Sequence, residues 1–249
     1  MPQWVEAGLW GLAGGGALVL GALVAWFVAV PRDIVAVVMA FGAGVLTAAA
    51  AFELMDEAEQ TGGLLATSAG FLAGAVAYVL ANVLLARRGA RHRKRSGNQP
   101  SEQDQAGSGT AIALGALLDG VPESVVLGVS LIGGGGVGAA MLAAVVISNV
   151  PEGLSSVAGM KRAGRGSGYV FGVWGAIAVV SGLSAALGNV LLDGASPQLI
   201  ALITAVAAGA ILAMIADTMI PEAYERARLY TGLCTTAGFL TAFVVERLG

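Results

Sequence analysis

Two short runs carry the chemistry of this chain: Leu118-Asp119-Gly120-Val121-Pro122-Glu123-Ser124 and Ile147-Ser148-Asn149-Val150-Pro151-Glu152-Gly153. Each sets a proline just before a glutamate, inside a long apolar stretch. A proline within a helix removes one backbone hydrogen bond and releases a carbonyl one turn earlier. Asp119 and Glu123 are four apart, as are Ser148 and Glu152, so each pair occupies one helix face. Asn149, three before Glu152, shares that neighbourhood. Three carboxylates, an amide, a hydroxyl and released carbonyls are oxygen donors of the kind that holds a cation. Their mutual repulsion opposes ionisation of all three without one. An acid at the centre of a bilayer costs at least about 2.5–3.5 kcal/mol. A single one is as well explained by protonation or by hydrogen bonds in a packed bundle; three in one region favour a function.

The elements that must position these residues are read from composition and block length. Of 249 residues 57% are hydrophobic and 12% charged, 13 basic and 16 acidic. Soluble domains carry roughly twice that charged fraction. This argues against a soluble enzyme, a nucleic-acid binder and a disordered chain, and for an all-α integral membrane protein. A crossing helix needs about 20 apolar residues. Eight blocks qualify: roughly 8–30, 34–55, 64–86, 111–132, 137–160, 168–192, 199–220 and 229–247. They form one transmembrane domain. Pro31, the pair Arg32-Asp33, the Gly133–Gly136 run and Pro197 fall where turns are needed. The long connection, residues 87–110, opens with six basic residues and continues in Ser, Gln and Gly, a composition that buries no core. The lone cysteine, Cys234, excludes a disulfide framework and reads as a small buried apolar residue. Met1 to Trp10 lacks a basic n-region, so no cleaved signal is expected.

Topology follows from the basic residues. With eight spans, 12 of the 13 fall on one side, Arg247 being the exception. That side is the cytoplasmic one, which places both termini outside and the 87–110 loop inside a multi-pass protein of the cell membrane. At about 1.5 Å per residue, Asp119 and Glu152 lie about 12 Å from the cytoplasmic boundary and Glu123 and Ser148 about 18 Å. If spans 4 and 5 touch, these side chains meet. A second repeat joins Ala43-Gly44 through Glu57-Ala58 to Ala208-Gly209 through Glu222-Ala223 at an offset of 165. Span 2 runs outward and span 7 inward, so this is an inverted repeat, spans 1–3 onto 6–8, around kinked spans 4 and 5. Glu53 and Asp217 sit near the mouths of such a path. They are either ligands where an ion comes in and leaves, or interfacial acids touching water.

The repeated proline-glutamate motif on adjacent helices, within eight spans and with a long loop after span 3, resembles the ZIP family of divalent metal transporters. Phe52-Glu53-Leu54-Met55-Asp56-Glu57-Ala58 and Ile220-Pro221-Glu222-Ala223 are also similar to their family counterparts. The resemblance implies a transport site between spans 4 and 5. It also implies a moving part of spans 1, 4, 5 and 6, with spans 2, 3, 7 and 8 as a dimeric scaffold. The chain departs from the pattern at Asp119-Gly120, where the family has His-Asn, at Ser148, at Ala185-Ala186 and at Asp217-Thr218. Its one histidine, His92, lies in the loop, so no imidazole reaches the site.

The expected ligands are therefore Asp119, Glu123, Ser148, Asn149 and Glu152, around a single cation with a harder or broader preference than a histidine site. The expected function is divalent-cation transport by alternating access, in a homodimer within the lipid bilayer. No permanent cofactor, nucleic-acid partner or enzymatic activity is expected: no P-loop and no nucleophile-base pair is visible. The alternative is a proton-coupled carrier of another solute, with the three acids as a relay.

Overall fold

The computed structural model describes residues 1–88, 108–132, 136 and 139–248. Arg91, His92, Arg93, Lys94 and Arg95, and the first three glycines of the Gly133–Gly136 run, lie outside the described residues. Helices account for the described chain: α1 (Gln3–Phe27), α2 (Arg32–Ala49), α3 (Asp56–Ala86), α4 (Ser108–Val129), α5 (Ala139–Arg162), α6 (Ser167–Leu192), α7 (Pro197–Met214), α8 (Ile220–Ala227) and α9 (Tyr230–Leu248). Proline precedes or opens α2 and α7, at Pro31 and Pro197, where its missing N–H costs nothing. The Ser196 side chain caps α7 by accepting from the Leu199 N–H at 3.3 Å.

Among the described residues, six helical stretches are long and apolar enough to cross a membrane: Gln3–Phe27, Arg32–Ala86, Thr110–Val129, Met141–Arg162, Ser167–Leu192 and Pro197–Ala227. The chain is thus an all-α, multi-pass membrane protein. Its burial pattern agrees. Leu65, Leu72, Leu80, Leu84 and Leu233 face outward, while Asp119, Glu123, Asn149, Glu152 and Asn189 are buried. A soluble protein shows the reverse.

Arg32–Ala86 runs 55 residues, about 80 Å at helical rise and far beyond one bilayer core. It is broken at Gly63, whose φ of 79° and ψ of 166° belong to no helix. Glycine alone adopts that backbone readily. Block length placed the second of these segments at 64; the helix begins at Asp56 because the acidic stretch stays helical up to the glycine. α9 is not among the six stretches, since Glu246 and Arg247 in its last turn, and to a lesser degree its threonines, dilute its apolar character.

Among the described residues, two π-turns interrupt the helices, at Ala50–Met55 between α2 and α3 and at Ile215–Met219 between α7 and α8. Packing is pairwise: α1 lies along α5 and α6, α2 against α5 and α9, α3 along α7, and α4 against α6 and α7. Glycines set the closest approaches. A side chain at Gly21 would collide with the Val150 carbonyl, one at Gly153 with the Leu18 carbonyl, and one at Gly128 with the Ala185 carbonyl. Such small-residue seams hold helices together in lipid, where no hydrophobic force draws them.

Candidate functional site

α4 and α5 carry the two proline-glutamate runs through the interior. Pro122 and Pro151 stand inside their helices, as their positions require. Asp119 is 2% exposed, Glu123 2%, Glu152 3%, Asn149 4% and Ser148 0%. All five are shielded from solvent, so each charge or dipole must be met by protein or by an ion.

The partners are specific. The Tyr78 hydroxyl on α3 donates to Asp119 Oδ1 at 2.6 Å, both groups buried. Asn149 donates through Nδ2 to the Gly14 carbonyl of α1 at 3.0 Å, which leaves its Oδ1 as an oxygen acceptor. Ser148 donates to the Val145 carbonyl at 3.0 Å. Ser124 donates likewise to the Gly120 carbonyl at 2.7 Å. These back-bonds satisfy the hydroxyl hydrogens and keep oxygen lone pairs for another partner. Gly42 of α2 lies against the Ser148 backbone and the Ile147 carbonyl, the carbonyl released by Pro151. Toward one end of α5, the Ser155 hydroxyl donates to Glu222 Oε1 of α8 at 3.3 Å. Ser155 is three residues beyond Glu152 and continues its face.

The carboxylates are not gathered. Among the described residues, no group of three or more His, Cys, Asp or Glu side chains could hold a metal ion together. α4 and α5 touch at few points, because each packs chiefly on α1, α2, α6 or α7. Asp119 is engaged by α3, and Asn149 by α1. The structure therefore buries all five of these residues without drawing Asp119, Glu123 and Glu152 into one shell.

Glu53 and Asp217 lie elsewhere, each within a π-turn. Glu53 is half-buried, and its Oε2 is enclosed without a hydrogen-bond partner. It lines a cleft of about 380 Å³ with Asp56, Glu57, Gln60, Glu246 and Arg247. Asp217 Oδ2 accepts from the Asn82 amide at 3.5 Å. Tyr78 and Asn82 are four apart, so one face of α3 addresses both Asp119 and Asp217.

Sequence reasoning missed Tyr78, Asn82 and Ser155 as polar partners of these acids, and it singled out Glu222 only as part of a motif. A tyrosine and an asparagine at helical spacing within Val, Leu and Ala were the available signal for the first two. No protein-family model matches the chain, and no curated protein matches it.

Proposed function

We propose that this chain is a divalent-cation transporter of the ZIP type, moving its ion past the acidic faces of α4 and α5. The observation that carries the reading is burial. Asp119, Glu123 and Glu152 are at most 3% exposed in a chain whose long apolar helices are fit to cross a membrane. In such a setting, ionisable groups mark an ion path. Glu123, Glu152, Asp119 and the Asn149 Oδ1 are the ligands, with Ser148 a weaker one. The Ile147 and Leu118 carbonyls freed by the prolines supply further oxygen. The substrate ion itself completes the shell, offsetting the carboxylates' repulsion as α4 and α5 shift on their glycine seams.

Eight passes and an inverted repeat belong to this reading, and several regularities support them. An offset of 165 carries α2, Arg32–Ala49, onto α7, Pro197–Met214, end for end. It carries Gln3–Phe27 onto residues 168–192 of α6, and the π-turn opening at Ala50 onto the one opening at Ile215. It also pairs Gly63 (φ 79°) with Arg228 (φ 47°), both with positive φ. Close approaches correspond as well: a side chain at Gly44 would meet the Thr235 carbonyl, and one at its counterpart Gly209 the Phe71 carbonyl. Transporters built this way rock one group of helices against the other around a central site. The cytoplasmic side is the one bearing the basic residues, and a homodimer is part of the proposal.

A second reading is favoured by the separation of the carboxylates and by the Tyr78–Asp119 bond. In it the three acids, with the Tyr78 phenol on Asp119, relay protons for another solute. Calorimetry on the purified protein at matched pH separates the two. Transport of a divalent metal requires saturable binding of zinc or manganese, weakened at least 10-fold, with uptake lost, in Glu123→Ala/Glu152→Ala. Absence of metal binding in the folded wild type would leave the relay.

A further inference from the structure

A cleft of about 370 Å³ opens where α1 ends, α2 begins and α5 ends. Its cations come from two distant parts of the sequence: Arg32 on one side, Lys161 and Arg162 on the other. Arg32 and Arg226 each bring a like charge within electrostatic reach of Arg162. Among the described residues, no carboxylate lines the cleft. Lys161 is fixed there: its Nζ donates to the Trp26 carbonyl at 2.7 Å and lies 5.3 Å from the centre of the Trp26 ring.

The rest of the wall is apolar. Val35 and Leu154 form its buried floor, and Val28 and Phe27, 56% and 76% exposed, lead outward from it. The cleft thus joins a cationic head to a greasy track at the end of the membrane-crossing helices. A small soluble anion would need only the head. A topology signal would need neither a fixed lysine nor a floor.

From this juxtaposition we infer that the cleft is a binding site for an anionic phospholipid. The phosphate sits between Arg32 and the Lys161-Arg162 pair, and an acyl chain lies along Val28 and Phe27. The basic residues at membrane ends attract anionic headgroups in general; here three elements hold them around one pocket. The inference stands on this cleft alone and holds whichever solute the protein carries.

The test is native mass spectrometry of the full-length protein released from detergent, titrated with phosphatidylglycerol or phosphatidylcholine. Phosphatidylglycerol is expected to bind at least fivefold more tightly. Arg162→Gln should weaken it about fivefold, and Arg32→Gln/Lys161→Gln/Arg162→Gln should bring it to the phosphatidylcholine level. Arg87→Gln/Arg88→Gln, at the end of α3, should leave it unchanged and so excludes a mere effect of net charge. Equal retention of the two lipids, or an unaltered Arg162→Gln protein, would overturn the site. Displacement of phosphatidylglycerol by millimolar inorganic phosphate would overturn the lipid in favour of a free anion. Should the triple variant fail to fold, the single change at exposed Arg162 decides the matter.

Discussion

At the scale of single residues, the contact that most alters the picture is the phenol of Tyr78 on Asp119. A 2.6 Å bond between buried groups occupies Oδ1 of Asp119, so under the proposed transport an incoming cation would compete with a phenol for that oxygen. Tyr78→Phe removes the competitor while keeping the ring. A hydrogen bond of this kind contributes about 0.5–1.5 kcal/mol net, so metal affinity should tighten roughly 2- to 10-fold, while the folded protein loses a few degrees of thermal stability. An affinity that does not move in calorimetry would place Asp119 outside the ion's shell. The two glutamates, Ser148 and Asn149 were legible from the sequence because a proline-glutamate pair inside an apolar helix has few structural reasons to exist. Tyr78 was not, because its partner is 41 residues away and only packing brings α3 to α4.

At the scale of elements, the helices were legible because bilayer thickness dictates block length. Their contacts were not. Whether α4 and α5 meet depends on how closely α1, α2, α6 and α7 approach each of them, and that is set by glycines whose partners no pattern names. The π-turns were equally hidden, since a change from i+4 to i+5 bonding has no residue signature. Close approach makes a sharp prediction. A side chain at Gly44 collides with the Thr235 backbone and one at Gly209 with the Phe71 backbone, whereas Gly16 has nothing within 4 Å. Gly44→Val and Gly209→Val should each lose about 1–3 kcal/mol or fail to fold, while Gly16→Ala should be neutral or mildly stabilising. Melting of the detergent-solubilised variants, followed by size-exclusion, measures this. Equal midpoints for Gly44→Val and Gly16→Ala would refute the seam.

At the scale of the whole molecule, charge is unevenly distributed. Arg32, Lys161 and Arg162 line one cleft, whereas Glu53, Asp56, Glu57 and Glu246 gather in another with Arg247. Under the eight-pass reading, Arg87 faces the cytoplasm and Gln3 the outside. With Cys234→Ser removing the one native thiol, a membrane-impermeant maleimide should label Gln3→Cys in intact cells. It should reach Arg87→Cys only after permeabilisation. Labelling of Arg87→Cys in sealed cells would invert the assignment, and labelling of both would change the number of passes between them.

The paired π-turns also bear on how relatives of this chain can differ in length. A π-turn holds one more residue than the α-turn it replaces, so straightening Ala50–Met55 deletes one position and rotates everything after it by about 100°. That rotation would turn α3 and its Tyr78-Asn82 face away from α4 and α7. A descendant could tolerate such a deletion only with a compensating insertion before Gly63. The same constraint applies to Ile215–Met219 and the segment up to Arg228. Single-residue gaps in these two short windows should therefore be absent or arrive in compensated pairs, even where the loops between helices vary freely.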